Sequence, residues 1–283
     1  MGMFMKAQTQ KNELKAYERV LLARDKERPN IVQYISCLFD SFLELSGDRI
    51  AKEDASVLGG IGFFEGRPVT VIGHHKGKDL EENLSCNFGM PGPEGFRKSL
   101  RLMKQAEKFH RPVITLLDTS GAYPGMEAES NGQSTAIAEN LLEMGRLKTP
   151  VVAIVTGEGC SGGALALGVA DKVWMLENAV YSVLSPEGFA SILWKDAGRK
   201  EEAAERMRMT ARELLEDGLV DGVIPEPEGG IQKDPQKGME EVRKAIRQSL
   251  EELDGIPGEE LARRRQEKYL HIASCSAPGQ EEA

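Results

Sequence analysis

The sequence predicts an α/β protein whose parallel strands are wound in a right-handed sense. Two apolar, β-branched runs, residues 112–117 and 151–155, indicate buried strands. Each run ends in a cluster of small residues and is followed by residues with helical spacing. Because strand, loop and helix repeat in this order, we expect parallel strands joined by right-handed crossovers. The loops at their carboxyl ends then share one edge of the sheet, where α/β folds bind ligands.

The segment before these strands predicts two helices, a hairpin and a loop. Residues 10–45 have helical spacing, and the second helix follows Pro29 with an apolar face that extends through Phe42 and Leu43. Residues 56–66 and 67–75 are typical of two strands that turn at Glu65–Gly66. The polar stretch from Lys76 to Pro93 is expected to be a loop over the ligand side. Pro93 then begins a helix with one apolar face: Phe96, Leu100, Met103, Ala106 and Phe109.

The rest of the chain continues the alternation. The helix between the two buried strands, residues 133–146, has an apolar face made of Ile137, Ala138, Leu141, Leu142 and Gly145. Short strands are predicted at 173–176, 180–183 and 219–224, with helices from Ser185 through Trp194 and over 201–209 and 210–216. Thr210 with Glu213 has the pattern of a capping box. A connector, residues 225–238, leads to helices near 238–253 and 257–271.

These elements suggest three parts. We divide the chain into an N-terminal helical segment (1–50), a core (51–225) and C-terminal helices with a frayed tail (226–283). Trp174 and Trp194 are expected in the core. Several basic residues fit either a guide for an anionic ligand or a solvated face: Lys76, Lys78, Arg97, Lys98 and Arg101.

Composition excludes several classes of protein. The chain has 283 residues, of which 40% are hydrophobic and 29% charged, as in ordinary globular proteins. Its net charge of −9 argues against a general nucleic-acid binder. No apolar run approaches the roughly 18 residues that span a bilayer, and the N-terminus lacks a signal-peptide core. We expect a cytoplasmic protein that does not enter a membrane.

The four cysteines, Cys37, Cys86, Cys160 and Cys275, are widely separated. Without a C-x-x-C pair, a structural zinc site in this chain is not expected, and disulfides are uncommon in the cytoplasm. Cys160 is interpreted as a small residue that fills a tight turn.

The most informative stretch is Gly157–Gly163, which links a predicted strand to a predicted helix. The first N–H groups of a helix lack intrahelical partners and lie at the positive end of its dipole. Gly162 and Gly163 have no Cβ, so a carbonyl oxygen can approach their N–H groups closely. We therefore expect these two N–H groups to form an oxyanion hole. A second small-residue loop, Asp118–Gly125, follows the other strand.

Three long motifs resemble the α subunits of bacterial acetyl-CoA carboxylase carboxyltransferase. They are Asp118–Gly125 (DTSGAYPG), Gly157–Gly168 (GEGCSGGALALG) and Tyr181–Gly188 (YSVLSPEG). Shorter stretches are similar as well: Phe42–Arg49, Asn87–Phe96 and Ser191–Lys195. The resemblance covers about residues 10 to 255, so it is far more specific than an isolated glycine pattern.

The resemblance implies a crotonase-like fold, a superhelix of ββα units with flanking N- and C-terminal helices. It implies transfer of the carboxyl group from carboxybiotin, carried on the biotin carboxyl carrier protein, to acetyl-CoA. The product is malonyl-CoA, the committed precursor in fatty acid biosynthesis. The implied partner is a homologous β subunit that carries zinc and completes the active site in an α2β2 heterotetramer. ATP is used by another component, the biotin carboxylase, and no P-loop motif occurs in this sequence.

Family resemblance assigns the biotin carbonyl to the oxyanion hole at Gly162 and Gly163. The other loop and the adjacent serine are expected to line the substrate site: Gly121, Ala122, Tyr123, Pro124, Gly125 and Ser161. Since neither loop contains a histidine, we expect no side-chain base to be required.

Three other functions stay open at this point, of which one is a non-catalytic interaction subunit. A related biotin-dependent carboxyltransferase or decarboxylase, acting on another acyl-CoA, fits the same motifs. Gly159–Gly163 also fits the G-x-S-x-G pattern of serine hydrolases, with Ser161 as nucleophile. Only His271 follows Ser161 along the chain, so we interpret Ser161 as a helix N-cap.

Overall fold

The computed structural model describes residues 14–274, which form one mixed sheet with helices around it. The strands are β1 Asp40–Glu44, β2 Val57–Phe64, β3 Arg67–His74, β4 Val113–Thr119, β5 Val151–Cys160, β6 Lys172–Leu176, β7 Val180–Ser182 and β8 Gly222–Ile224. The helices are α1 Ala16–Ala23, α2 Ile31–Leu38, α3 Leu80–Ser85, α4 Pro93–Lys108, α5 Met126–Ser130, α6 Gln133–Met144, α7 Ser161–Leu165, α8 Pro186–Trp194, α9 Lys200–Met207, α10 Ala211–Glu216, α11 Pro235–Glu252 and α12 Gly258–Ser274. Of the dozen C-terminal residues predicted to fray, 272–274 belong to α12, and 275–283, with Cys275, lie outside the described residues.

The sheet has an antiparallel and a parallel half. Strands follow the order β1-β2-β3-β4-β5-β6-β8, and β7 pairs with β5. β1, β2 and β3 are antiparallel neighbours, whereas β3, β4, β5, β6 and β8 run parallel. The hairpin predicted to turn at Glu65–Gly66 is confirmed, because both residues adopt positive φ there. The parallel half brings the ends of β3, β4 and β5 to one edge.

β5 is the central strand and is buried along nearly its whole length. It pairs with β4 and β6 through residues 151–155, and with β7 through residues 158–160. The predicted loop after residue 155 is therefore wrong, since the strand continues to Cys160. A continuous apolar core surrounds it and includes Leu116, Ile154 and Met175.

Helix starts agree well with their sequence signals. Asn30 caps α2, the side chain of Ser185 accepts from Gly188 N–H at the start of α8, and Thr210 with Glu213 forms the predicted capping box. Among residues 14–274, no helix is both long enough and apolar enough to cross a membrane.

Several local predictions are wrong for tertiary reasons. The second N-terminal helix ends at Leu38, because residues 40–44 pair with β2 as strand β1. The stretch from Lys76 to Pro93 includes α3 and a 3₁₀ turn at Asn87–Gly89. The helix after Gly163 is only α7, five residues long, because the N–H of Leu167 bonds to the carbonyl of Ala164 in a tighter turn. The last strand is shortened to Gly222–Ile224.

Two apolar faces are also misplaced. α6 buries Gln133, Ala136, Asn140 and Met144, while the predicted Ala138 and Leu142 are exposed. The buried amides are used: the Asn140 side chain donates to the carbonyl of Ala166. Phe109, the last residue of the predicted α4 face, is exposed.

The tryptophans have different environments. Trp174 packs on the core, and its Nε1 donates to Ser249 Oγ at 2.8 Å. Trp194 is not a core residue, because it lies at the end of α8 under the guanidinium of Arg199, 4.1 Å from its ring centroid.

Candidate functional site

Three chain segments meet at the carboxyl edge of the parallel strands. They are the loop after β4, the β5–α7 junction and residues 87–92. A Cβ on Gly163 would lie 2.5 Å from the backbone nitrogen of Ala122, so the first two segments touch through bare backbone. The N–H of Tyr123 donates to the carbonyl of Pro91 at 2.9 Å, which joins the third segment. The two small-residue loops therefore lie side by side, as their positions after parallel strands predict.

The β5–α7 junction presents the first turn of a helix to solvent. Ser161 is exposed and adopts φ +59°, a conformation that L residues rarely take. Gly162 is half-buried and Gly163 is buried. Because α7 begins at Ser161, the N–H groups of Gly162 and Gly163 have no carbonyl within the helix to bond. This geometry supports the predicted oxyanion hole.

Ser161 is not the helix N-cap that the sequence predicts. Cys160 has the N-cap position, and no side chain caps the helix there. Strand β5 ends at Cys160 and α7 begins at Ser161, so no residue separates the strand from the helix. Ser161 is therefore the first helical residue and not the cap. Cys160 is buried as expected, and burial raises the pKa of its thiol, so a reactive thiolate is disfavoured.

The loop after β4 is rigidified by its own side chains. The Thr119 hydroxyl accepts from the N–H of Gly121 at 3.1 Å and donates to the Gly121 carbonyl at 2.8 Å. The N–H groups of Gly121 and Tyr123 are therefore occupied, so neither residue offers a backbone donor. Pro124 is exposed, and a Cβ on Gly125 would overlap the Tyr123 ring, so these residues form the outer wall of the loop.

Glu158 lies at the centre of an ion-pair network beneath the two loops. Its carboxylate contacts Arg24 at 2.7 Å and Lys76 at 3.3 Å, and Lys76 donates to Asp118 at 2.7 Å. The Asp118 carboxylate also accepts from the backbone N–H of Glu158 at 3.0 Å. The network therefore ties both loops to the end of α1.

The network extends to α8. Arg24 also pairs with Glu187, in the first turn of α8, at 2.9 Å. Burial by itself raises the pKa of Glu187, but its hydrogen bonds with Arg24 outweigh this and lower the pKa to about 2. For Lys76, burial disfavours the charge, yet the neighbouring carboxylates of Asp118 and Glu158 raise its pKa.

Most of the basic residues near the loops pair with other groups of the chain. They therefore form neither a guide for an anionic ligand nor a solvated face, the two interpretations that the sequence left open. Lys76 belongs to the network above. Arg97 pairs with Asp48 at 2.8 Å, and Lys98 is buried against Glu53 and nearby carbonyls. Arg101 donates to the carbonyls of residues 45–47. These contacts hold residues 45–54 against α4, and only Lys78 is exposed.

His74 belongs to none of the family motifs, yet the structure places it between the end of β4 and α7. It is the last residue of β3 and is 2% exposed. Its Nδ1 accepts from the N–H of Asp118 at 3.3 Å, and its Nε2 lies 3.2 Å from the carbonyl oxygen of Gly163. Its position at the end of a strand parallel to β4 was the available signal. The neighbouring His75 interacts instead with Glu82 and the carbonyl of Ala55.

A serine hydrolase is not favoured by this arrangement. The left-handed Ser161 does resemble a strained nucleophile turn between strand and helix. However, both ring nitrogens of His74 are engaged by backbone groups, so this histidine has no free nitrogen for the Ser161 hydroxyl.

Comparison with known proteins gives consistent results. Residues 4–273 match the model of a family described as acetyl co-enzyme A carboxylase carboxyltransferase-like. A relative from Bacillus cereus (strain G9842), acetyl-coenzyme A carboxylase carboxyl transferase subunit alpha, is 55% identical over 263 residues, which is 93% of this chain and 81% of that protein. A protein of the same name from Bacillus anthracis (strain CDC 684 / NRRL 3495) is equally similar over the same lengths.

Solved structures share the fold. Transcarboxylase 12S, with methylmalonyl-coenzyme A bound, matches with a TM-score of 0.65 at 21% identity, over 81% of this chain and 42% of that one. A Pseudomonas malonate decarboxylase hetero-tetramer in complex with coenzyme A matches with a TM-score of 0.63 at 17% identity, over 78% of this chain and 89% of that one. These matches confirm the predicted fold class, a crotonase-like superhelix.

Proposed function

Since the chain belongs to the acetyl-CoA carboxylase carboxyltransferase-like family, we propose that it is the α half of a carboxyltransferase that makes malonyl-CoA. The resemblance inferred from the sequence motifs is confirmed over residues 4–273. In the proposed reaction, carboxybiotin on a separate carrier protein supplies the carboxyl group, which acetyl-CoA accepts at its methyl carbon. The exposed first turn of α7 beside the loop after β4 carries the proposal.

The role of this chain is to stabilise negative charge on a carbonyl oxygen. The N–H groups of Gly162 and Gly163 lie at the start of a helix, where a developing oxyanion is favoured. A Cβ on Gly162 would have no neighbour closer than Ile137, at 3.6 Å, which is an ordinary van der Waals distance. We therefore propose that the space beside this residue admits a substrate carbonyl. Losing one such donor typically costs about 3–4 kcal/mol in barrier height.

The carboxylates of the two loops are already engaged, because Asp118 and Glu158 both pair with Lys76. Both nitrogens of His74 are used by the backbone, and Lys76 is held by two carboxylates. We therefore propose that proton removal from the methyl group depends on the substrates themselves or on the partner subunit.

The proposed partner is a β subunit that completes the active site. Large apolar residues are exposed on the segment after β7 and on α8, the helix whose first turn joins the ion-pair network: Val183, Ile192 and Leu193. Val183 follows Ser182, which pairs with Cys160, so it lies next to the start of α7. We propose an α2β2 heterotetramer in which the β subunit covers this surface, holds the zinc and binds much of acetyl-CoA. The biotin carboxyl carrier protein and the ATP-dependent biotin carboxylase are the further partners.

The proposal is tested with the assembled complex. The chain and its β subunit are co-expressed and assayed for malonyl-CoA-dependent carboxylation of free biocytin. We expect activity in the complex and none in either chain alone. An assembled complex that accepts a different acyl-CoA, and not malonyl-CoA, would favour the related carboxyltransferase or decarboxylase. A fluorophosphonate probe that labels Ser161 stoichiometrically would instead support the hydrolase.

A further inference from the structure

We propose that His74 is a positioning residue, whose imidazole fixes the first turn of α7 against the end of β4 and thereby aims the N–H groups of the oxyanion hole. The inference rests on the proposed function of Gly162 and Gly163 and assigns a role to a residue outside the family motifs quoted above. The His74 side chain contacts the backbone of Gly163 and does not touch the substrate.

The two hydrogen bonds of His74 define its protonation state. Because Nδ1 accepts the N–H of Asp118, the ring proton must be on Nε2, which then donates to the carbonyl of Gly163. The ring is therefore a single neutral tautomer that links two backbone segments. The side chain spans from the end of β3 to β4 on one side and to α7 on the other.

α7 needs an external restraint at this position. The carbonyl of Gly163 is not used by the N–H of Leu167, which bonds to Ala164 instead. Two successive glycines also give this backbone more conformational freedom than any other residue pair would. Stabilisation of an oxyanion depends on donors that are already aimed before reaction. His74 on one side and the backbone of the loop after β4 on the other supply that restraint.

His74 is unsuited to be the base itself. Burial lowers the pKa of His74, and the nearby charge of Lys76 lowers it further. The hydrogen bond to Gly163 raises the pKa by less, so the net pKa is about 3. The ring therefore stays neutral at the pH at which such an enzyme works. Its two nitrogens have backbone partners, so it acts through Gly163.

The test compares three substitutions in the complex with the β subunit. His74→Leu removes both hydrogen bonds, His74→Asn can keep only the acceptor near Asp118, and His74→Gln can keep the donor toward Gly163. We expect His74→Leu and His74→Asn to lower kcat roughly tenfold to a hundredfold, because small misplacements of catalytic groups have effects of this size. We expect His74→Gln to stay within about threefold of wild type, with KM for the acyl-CoA changed little by any variant.

Thr115→Val is the matched control. Thr115 is buried in β4, and its hydroxyl donates to the carbonyl of Leu167 at 2.7 Å, just beyond α7. Its loss removes a comparable side-chain to backbone hydrogen bond at a place that aims no donor. Equal losses of kcat in Thr115→Val and His74→Leu would overturn the proposal, as would a His74→Gln variant no better than His74→Asn. If His74→Leu does not fold, the Gln and Asn variants decide.

A second readout is independent of turnover. The chain has four histidines, so ¹⁵N-histidine spectra can be assigned by substitution. We expect one ring with Nε2 protonated and Nδ1 unprotonated at neutral pH, whose signals vanish in His74→Gln. The opposite tautomer at His74 would overturn the inference even in an active complex. An inactive wild-type complex would overturn the proposed function, while the spectrum would still decide whether His74 holds Gly163.

Discussion

At the scale of single residues, the two glycines of the predicted oxyanion hole have different reasons to be glycine. Gly163 is required by packing, because its missing Cβ would overlap the backbone of Gly121 and Ala122. A Cβ on Gly162 would overlap no other atom of the chain, so the small size of this residue matters only for the approach of a substrate. The sequence predicts both as donors from their place after a strand, but it cannot separate these reasons. The two reasons become distinct only through the contact of Gly163 with Gly121 and Ala122, which lie about forty positions earlier in the chain.

Gly163→Ala is expected to push the two loops apart. We predict a loss of carboxyltransferase activity of at least about tenfold, with destabilisation of roughly 1–3 kcal/mol from overpacking. The measurement is biocytin carboxylation by the complex, together with urea unfolding. Gly145→Ala is the matched control, since Gly145 has a helical φ of −61° and a Cβ there has no neighbour closer than 3.4 Å. Wild-type activity in Gly163→Ala would contradict the packing argument.

His74 also makes stability depend on pH. Its pKa is lowered from 6.5 to about 3 in the folded chain, so the unfolded chain binds the proton more tightly between these values. The free energy of unfolding must therefore fall as pH decreases from about 6.5 toward 3, by a few kcal/mol in all. We expect His74→Gln to lose this part of the dependence above pH 5, before carboxylates such as Glu187 titrate. Urea unfolding at several pH values measures it, and identical slopes in the two proteins would refute the assignment.

At the scale of secondary structure, most strands and helix starts were predictable, whereas helix ends were not. The β2–β3 hairpin, β4 and the first half of β5 follow from local composition, and so do the caps of α8 and α10. α7 ends early and α2 gives way to β1, because partners distant in sequence decide these boundaries. The buried face of α6 was also unpredictable, since the NH₂ groups of its amide side chains donate to carbonyls of other segments. Periodicity alone assigns such polar residues to the surface.

The ion pair that attaches the N-terminal helices is of this long-range kind. Arg28, between α1 and α2, pairs with Glu226 at 2.6 Å, and both side chains are almost completely buried. We expect Arg28→Met to lower the free energy of unfolding by roughly 3–5 kcal/mol, because it leaves a buried carboxylate unpaired. Arg263→Met, which breaks an exposed ion pair on α12, is the control and should have no measurable effect. Equal effects in urea unfolding would show that burial of the pair is unimportant.

At the scale of the whole molecule, the fold and the family were predictable because long motifs cover most of the chain. The ion-pair network and His74 were not, because their members come from β3, β4, β5, α1 and α8 and share no local signature. The three-part division into 1–50, 51–225 and 226–283 stays a prediction. α1 contacts the core through Arg24 and Glu158, and the segment after β8 does so through Glu226 and the N–H of Asn178, so the structure offers no visible gap at those boundaries.

The exposed apolar surface beside the site makes a prediction about assembly. Ile192→Glu places a charge on a residue that is 62% exposed in this chain. We expect it to weaken association with the β subunit by tenfold or more, roughly the effect of a buried unpaired charge, without destabilising the isolated chain. Phe109→Glu is the control, since Phe109 is similarly exposed but precedes β4, at the amino end of the strands. Size-exclusion chromatography with the β subunit measures this, and equal weakening by both variants would argue against the assigned surface.

The pairing of Arg28 with Glu226 has a consequence for biosynthesis. The two residues are separated by 198 positions, and Arg24 is 134 positions from Glu158. The first helices leave the ribosome early, yet their partners are synthesised much later. Contacts of such high sequence separation form slowly, because a long loop must close before they contribute. Arg24 and Arg28 of the nascent chain therefore stay without these carboxylate partners until most of the polypeptide has been translated. Shaping of the two loops beside this network is accordingly among the last events in the maturation of this chain.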